Sequence, residues 1–486
     1  MVSESISTKE KDASPSAPPR RGIGMLVVMI GVLISAVDGT IVVLALPAIE
    51  EDLKITLSSV TWVVVGYLLV VTVLSTQLGR FGDMFGRVRM YKAGFLVFTV
   101  GSVFCAIAWN APSIIGARVV QGVGAALIAA NSGAIISELY PPQERGRAYG
   151  YNAFGYSFGS VLGVLAGGVM VTYVSWQWIF WVNVPIGIIA LVLAHRVLRD
   201  TAERQRRKFD FVGMITLGLG LFGVLWAMTG LASGPLDGTL IGYLVGGLVL
   251  LAAFVVVELK QKEPTLDLSL FRIPSMTPSL LASLLQGVGS FAVLFLVIMY
   301  LQGTRGMDPI DASLLLLPGY VIGAVVGPYA GKLTDKLGSV VPATMGLGIS
   351  VVAMAIFAQM TTTSSLWLTA VGNLVMMIGG SFFFPANSTA VMKAAPPDRL
   401  GIASGVLRTF SSIGMVFSFT TAMLVASHSI PRNLAFAIFV GTNKLDGDLA
   451  SAFADGLEAA FYTMMGIMIL AAILSALRGT GRKADA

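Results

Sequence analysis

The amino-acid sequence predicts an all-α polytopic membrane protein built from two pseudo-symmetric six-helix halves and two inserted helices, fourteen transmembrane helices in all. Three observations predict it. Of 486 residues, 55% are hydrophobic and 12% charged, and the mean hydropathy of +0.82 lies outside what ordinary water-soluble domains show. Apolar segments long enough to cross a hydrocarbon core, which takes about 20 helical residues, recur along the whole chain. The chain also matches itself in two loops, at offsets of 255 and 252 residues.

The tail 1–22 is polar and basic and leads directly into the first apolar run, 23–47. That run lacks the small-residue cleavage site of a signal peptide and is read as a retained first span. Spans two to six follow at 57–79, 90–109, 113–138, 147–173 and 177–198, completing a first half over 23–198. The segment 199–272 holds polar linkers around spans seven and eight, at 211–232 and 239–258. A second half over 273–477 contains spans nine to fourteen at 273–302, 312–331, 340–360, 365–392, 401–427 and 457–477, and 478–486 is a short polar tail. Apolar content and length set each span, and charge, Pro or Gly ends it.

Threading these spans alternately places 26 Lys and Arg on the side of the N-terminus and 4 on the other. By the positive-inside rule both termini are cytoplasmic, in the cell (inner or plasma) membrane, and the loop 428–456 is outside. The net charge of +6 is then a consequence of topology, and no nucleic-acid partner is expected. A single cysteine, Cys105, and the lack of a Cys/His cluster leave no expected disulfide, metal or other cofactor.

In the repeat, Pro141, Pro142, Gly146, Ala148 and Gly150 align with Pro396, Pro397, Gly401, Ala403 and Gly405. Gly79, Arg80, Asp83 and Gly86 align with Gly331, Lys332, Asp335 and Gly338. Spans one to six therefore repeat as nine to fourteen, and seven and eight are left over. Parallel halves of this kind, with a site between them at mid-depth, are a transporter architecture.

Asp38 is the one acid deep in an apolar span. A central Asp costs about 2.5–3.5 kcal/mol on insertion scales, so it is a functional candidate by default. Arg118 lies about five residues inside the outer end of span four, about 7 Å, and Asp38 about nine residues from the outer end of span one, about 13 Å. The two side chains can meet across the first and fourth spans, or Arg118 can snorkel to the outer headgroups.

These residues resemble the major facilitator superfamily, in its fourteen-helix drug:proton antiporter branch. The first-helix signature Asp-x-Thr-Ile-Val-Asn-x-Ala-Leu-Pro is matched by Asp38, Thr40, Ile41, Val42, Ala45, Leu46 and Pro47, with Val43 in place of Asn. The loop Gly79, Arg80, Gly82, Asp83, Gly86, Arg87 and Arg89 matches the superfamily's most specific motif, and Lys332, Asp335 and Gly338 belong to its weaker copy. Arg118, Gln121, Gly122 and Gly124 resemble the proton-linked arginine motif. Gly159, Gly163, Gly167 and Gly168 resemble the antiporter glycine motif, with Val164 where the family has Pro.

The resemblance implies a proton-coupled exporter of hydrophobic or amphipathic, preferably cationic, compounds, acting as a monomer in the lipid bilayer by alternating access. Asp38 and Arg118 would couple protons. Asp38, Gln121, Asn131, Gln286, Asn373 and Asn387 would line the substrate cavity. Asp83 would close the cytoplasmic side against the start of span thirteen near Gly401, with Arg87 and Arg89 as local ion-pair partners, and Asp335 would address the start of span five near Gly146. The Val43 and Val164 departures keep open a proton-coupled importer or facilitator of a specific metabolite. A membrane enzyme or lipid-handling protein is disfavoured because no catalytic constellation is present. Gly155-x-Ser157-x-Gly159, Gly218-x-Gly220-x-x-Gly223 and Asn387-Ser388-Thr389 fit hydrolase, dinucleotide and glycosylation patterns. Each lies within an apolar span, without the context those patterns need, and reads as packing.

Overall fold

The computed structural model describes residues 21–140, 145–200, 210–233, 237–261, 266, 268–396, 400–428 and 448–478. The first half consists of α1 (Arg21–Leu53), α2 (Leu57–Phe85), α3 (Arg87–Ala106), α4 (Ala111–Leu139), α5 (Arg145–Tyr173), and α6 (Trp178–Trp181) with α7 (Asn183–Val197). The inserted pair is α8 (Phe211–Ser233) and α9 (Gly238–Lys260). The second half consists of α10 (Met276–Ser290) with α11 (Val293–Met299), α12 (Pro309–Leu337), α13 (Val340–Phe357), α14 (Leu366–Ala394), α15 (Leu400–His428) and α16 (Asp448–Ala476). Among the described residues, 13 helices are long and apolar enough to cross a membrane, and 14 with α2, which bends by 50° between Ser75 and Gln77. This is the predicted fold: two pseudo-symmetric halves with an extra helix pair.

Local chemistry explains several helix boundaries. Thr56 caps α2 by accepting from the Ser59 N–H, and Asn110 and Ser113 form a reciprocal capping box at α4. Pro185 has no N–H to give the Trp181 carbonyl four residues earlier, and the sixth span breaks between α6 and α7 close by. The ninth span breaks between α10 and α11. There the Ala292 N–H donates to Ser418 Oγ at 2.9 Å, and a π-helical turn over Tyr300–Thr304 follows. The last span starts at Asp448, nine residues before the expected start at 457, so the expected outer loop shortens accordingly; residues 429–447 lie outside the described residues.

Glycines set the closest helix contacts. A Cβ on Gly124 would overlap the Phe98 backbone nitrogen, and one on Gly101 would stand 2.6 Å from Gln121 Cα, so α3 and α4 touch backbone to backbone. Gly124→Ala is expected to cost about 1–3 kcal/mol by overpacking. Thermal unfolding of the purified protein checks this, and an unchanged midpoint would contradict the contact.

The ends near Arg21, Gly86, Tyr140 and Asp200 share one face: the Tyr140 hydroxyl donates to the Arg21 carbonyl, and Asp200 accepts from Val88 and Arg89 N–H. This face, which carries Arg87 and Lys92, is called the basic face. Gly86 and its repeat mate Gly338 both have positive φ, 106° and 80°, a conformation glycine adopts without strain. The repeat is thus written in the backbone as well as in the sequence.

The halves meet along two seams. At one, Thr172 Oγ1 of α5 accepts from the Ile310 N–H of α12 at 3.2 Å, and Gly168 closes on Ser313. At the other, Thr61 of α2 donates to Met423 Sδ of α15 at 2.8 Å. Both contacts lie toward the face opposite the basic one. The inserted α8 packs against both α2 and α15, setting Phe222 and Trp226 at a tilt against Trp62, ring centroids 5.2 and 5.5 Å away. Gly220 and Gly223 seat α8 on α9 against Leu251, Tyr243 and Gly247, which confirms their packing role.

Candidate functional site

Asp38 sits close to the middle of the 33-residue α1 and is 0% exposed. The first half closes around it. Arg118 of α4, 1% exposed, donates from Nη1 to Asp38 Oδ2 at 2.7 Å and to Gln121 Oε1 at 2.6 Å. Its Nε donates to the Val63 carbonyl of α2 at 3.0 Å. Gln121 Nε2 donates to Asp38 Oδ1 at 2.9 Å and lies at the same distance from Ser102 Oγ of α3. The guanidinium lies 4.1 Å from the Tyr67 ring centroid, within range of a cation–π contact.

Four helices thus supply one buried ionic knot, and Arg118 does not snorkel. The arrangement is electrically neutral and holds both carboxylate oxygens by donors. It changes character with a single proton: protonated Asp38 no longer holds Arg118 by charge, and the guanidinium is left with the Val63 carbonyl, Gln121 and Tyr67. Charge in a dry interior is stable only while paired, so proton uptake here must rearrange side chains. Tyr67, Ser102 and Val63 belong to the knot and were missed in the sequence, because nothing in their local pattern marks them.

The other expected cavity residues do not join Asp38. Asn131 is buried between α4 and α2, where its Nδ2 donates to the Leu127 carbonyl at 2.8 Å and its Oδ1 occupies the space a side chain at Gly82 would take. Gln286 Nε2 is 2.8 Å from Ser290 Oγ on the same helix. Asn373 Nδ2 reaches the Leu316 carbonyl at 2.7 Å, and Asn387 Nδ2 the Ser279 carbonyl at 3.3 Å. All four are at most 6% exposed. Asn373 and Asn387 thus tie neighbouring helices, whereas Asn131 and Gln286 donate within their own helices.

At the basic face, Arg87 bridges two helices, meeting Asp83 at 2.8 Å and Glu138 at 2.8 Å. The Asp83–Arg87 pair was expected; Glu138 was not, nor was Asp200, which caps α3 from more than a hundred residues away. Arg89 contributes its backbone N–H to Asp200 at 3.3 Å. The expected docking of Asp83 and Asp335 falls at helix starts, near Gly401 and Gly146, whose flanking residues 397–399 and 141–144 lie outside the described residues. Asp335 is exposed, and Lys332 lies 5.9 Å from the Tyr329 ring. Gly79 approaches Ala130, and Arg80 is half-buried on α2.

Gly159, Gly163 and Gly167 seat α5 on α1 against Leu33, Val37, Thr40 and Ile41, while Gly168 faces α12 of the other half. Val164 is 0% exposed and Val43 2% exposed; both replace family residues with core packing.

The family model described as Major Facilitator Superfamily matches residues 28–419. The riboflavin transporter RibZ of Clostridioides difficile is 29% identical over 86% of this chain and 91% of its own. Multidrug resistance protein 3 of Bacillus subtilis is 30% identical over 82% of this chain and 78% of its own. Among solved structures, a bacterial homologue of the human lysosomal transporter Spinster, in an inward-facing and occupied conformation, superposes with a TM-score of 0.67 at 18% identity, covering 95% of this chain and 97% of that one.

Proposed function

Because the chain belongs to the Major Facilitator Superfamily, a family of membrane transporters, we propose that it is a proton-coupled antiporter exporting hydrophobic or amphipathic compounds. In this reading it belongs to the fourteen-helix drug:proton branch. The carrying observation is the Asp38–Arg118 pair at 2.7 Å, closed off from solvent in a helix that also packs on α5. Protonating Asp38 frees Arg118. The knot holds α1, α2, α3 and α4 together, and α2 packs on α15 of the other half, so a rearranged knot can act on the contact between the halves, which is what alternating access requires. The Asp83–Arg87–Glu138 link ties the basic ends of α2, α3 and α4 so that they move as one body. The likeness to a multidrug resistance protein supports export of drug-like compounds, and the monomer suffices because both halves are on one chain.

A second reading, uptake or facilitation of one metabolite, is favoured by the likeness to a riboflavin transporter and by Val164, which removes a family proline from α5. Uptake of a substrate panel into proteoliposomes under an imposed pH gradient separates the two. Export predicts accumulation when the trans side is acidic; accumulation that follows the proton would establish symport instead.

Both termini are cytoplasmic in this proposal. In a Cys105→Ser background, a cysteine at Asn443 is expected to react with an impermeant thiol reagent in intact cells while one at Arg206 is not. The reverse pattern would overturn the orientation.

A further inference from the structure

Asp38 is covered and paired, whereas Arg408, on the first turns of α15 in the second half, is exposed. Its Nη1 donates to the Ala129 carbonyl of α4 at 2.9 Å, and it lies within electrostatic reach of Tyr156 on α5. Both of these helices belong to the first half. Since α15 borders the α2 seam and α5 borders the α12 seam, a side chain of α15 that bonds α4 and lies near α5 sits in the space between the two seams.

The helix faces agree. On α5, Gly155 and Gly159 face α1 and Gly168 faces α12. At about 3.6 residues per turn, Tyr156 falls on the side of α5 away from Phe154 and Phe158. Tyr156 is 49% exposed. Tyr320 of α12 falls between the α14-facing Gly319 and the α5-facing Ser313, and it lies within electrostatic reach of Tyr156.

Among the described residues no carboxylate lies within ion-pair distance of Arg408. A guanidinium offers five N–H donors in a planar fork, and the Ala129 carbonyl takes one. The geometry points to an anion site: Arg408, with the Tyr156 and Tyr320 hydroxyls, receives the carboxylate or acidic phenolate of an amphipathic organic anion, whose apolar body fills the space between the halves. This inference rests on the transporter reading, and it replaces the cation expected from an accessible Asp38 with a compound of opposite charge. An anion held between Arg408 and Tyr156 touches one helix from each half, so its binding is sensed by the movement that carries it across.

The test is binding, which needs no proton gradient. Naphthalene-2-acetate, its primary amide and 2-naphthylethylammonium differ chiefly in charge. Their affinities for the full chain in lipid nanodiscs are measured by calorimetry, against empty nanodiscs. The wild type is expected to bind the acetate about tenfold more tightly than the other two, the worth of one charge-assisted contact. Arg408→Gln is expected to abolish that preference and leave binding of the amide unchanged, Arg408→Lys to keep part of it, and Tyr156→Phe to weaken the acetate alone. Thermal midpoints confirm that each variant is folded. Preference for the ammonium, equal binding of all three, absence of binding, or an anion preference that survives Arg408→Gln would overturn the site. Any of these beside intact pH-driven export would leave the antiporter reading standing.

Discussion

Asp38→Asn is expected to abolish pH-driven accumulation while leaving exchange of substrate down its own gradient measurable. A step of two pH units is worth about 2.7 kcal/mol per proton, which sustains roughly a hundredfold concentration ratio for a one-proton exchange. With Asn at position 38 the amide keeps the shape of the carboxyl but cannot carry the proton, so the ratio should fall to near unity. The measurement is substrate uptake into proteoliposomes with and without the imposed gradient, wild type and variant side by side. Full accumulation by Asp38→Asn would remove the residue from the coupling step. The search would then turn to Glu138, which meets Arg87 at the basic end of α4.

The second large effect is on stability. Arg118→Ala deletes the cation from the knot and leaves the Asp38 carboxylate buried with Gln121 as its remaining donor. Removing one partner of a buried ion pair costs about 3–5 kcal/mol, because the other charge stays behind uncompensated. The double variant Asp38→Asn, Arg118→Ala removes both charges and is expected to be more stable than Arg118→Ala alone. Thermal unfolding of the four proteins of this cycle measures the coupling directly. Additive effects would show that the two residues do not depend on one another.

Much of this architecture was legible in the sequence because a bilayer enforces it: each span must bury its own backbone hydrogen bonds, so length and apolarity suffice to count them. The meeting of Asp38 and Arg118 was legible for a related reason, since helical rise places both in the same depth range. Gln121 was singled out as a polar residue in a span, but its part as the second donor to Asp38 depends on Gly101 and Gly124 drawing α3 and α4 together. Asp200 was invisible as a cap because its partners at Val88 and Arg89 are adjacent only after the first half closes. The start of α16 was set too late because Asp448 and Asp455 read as loop. Arg408 is legible in the sequence only as a charge inside an apolar span; its surroundings come from α4 and α5, in the other half of the chain.

The position of α8 makes the two seams unequal as doorways. Beside α2 and α15, the inserted helix covers the seam, with the rings of Trp62, Phe222 and Trp226 clustered in the gap. Beside α5 and α12, Phe158, Leu162, Val321 and Val325 are exposed and form bare apolar jambs. One flank is therefore walled and the other open, so the molecule, though built as two like halves, is one-sided toward its surroundings.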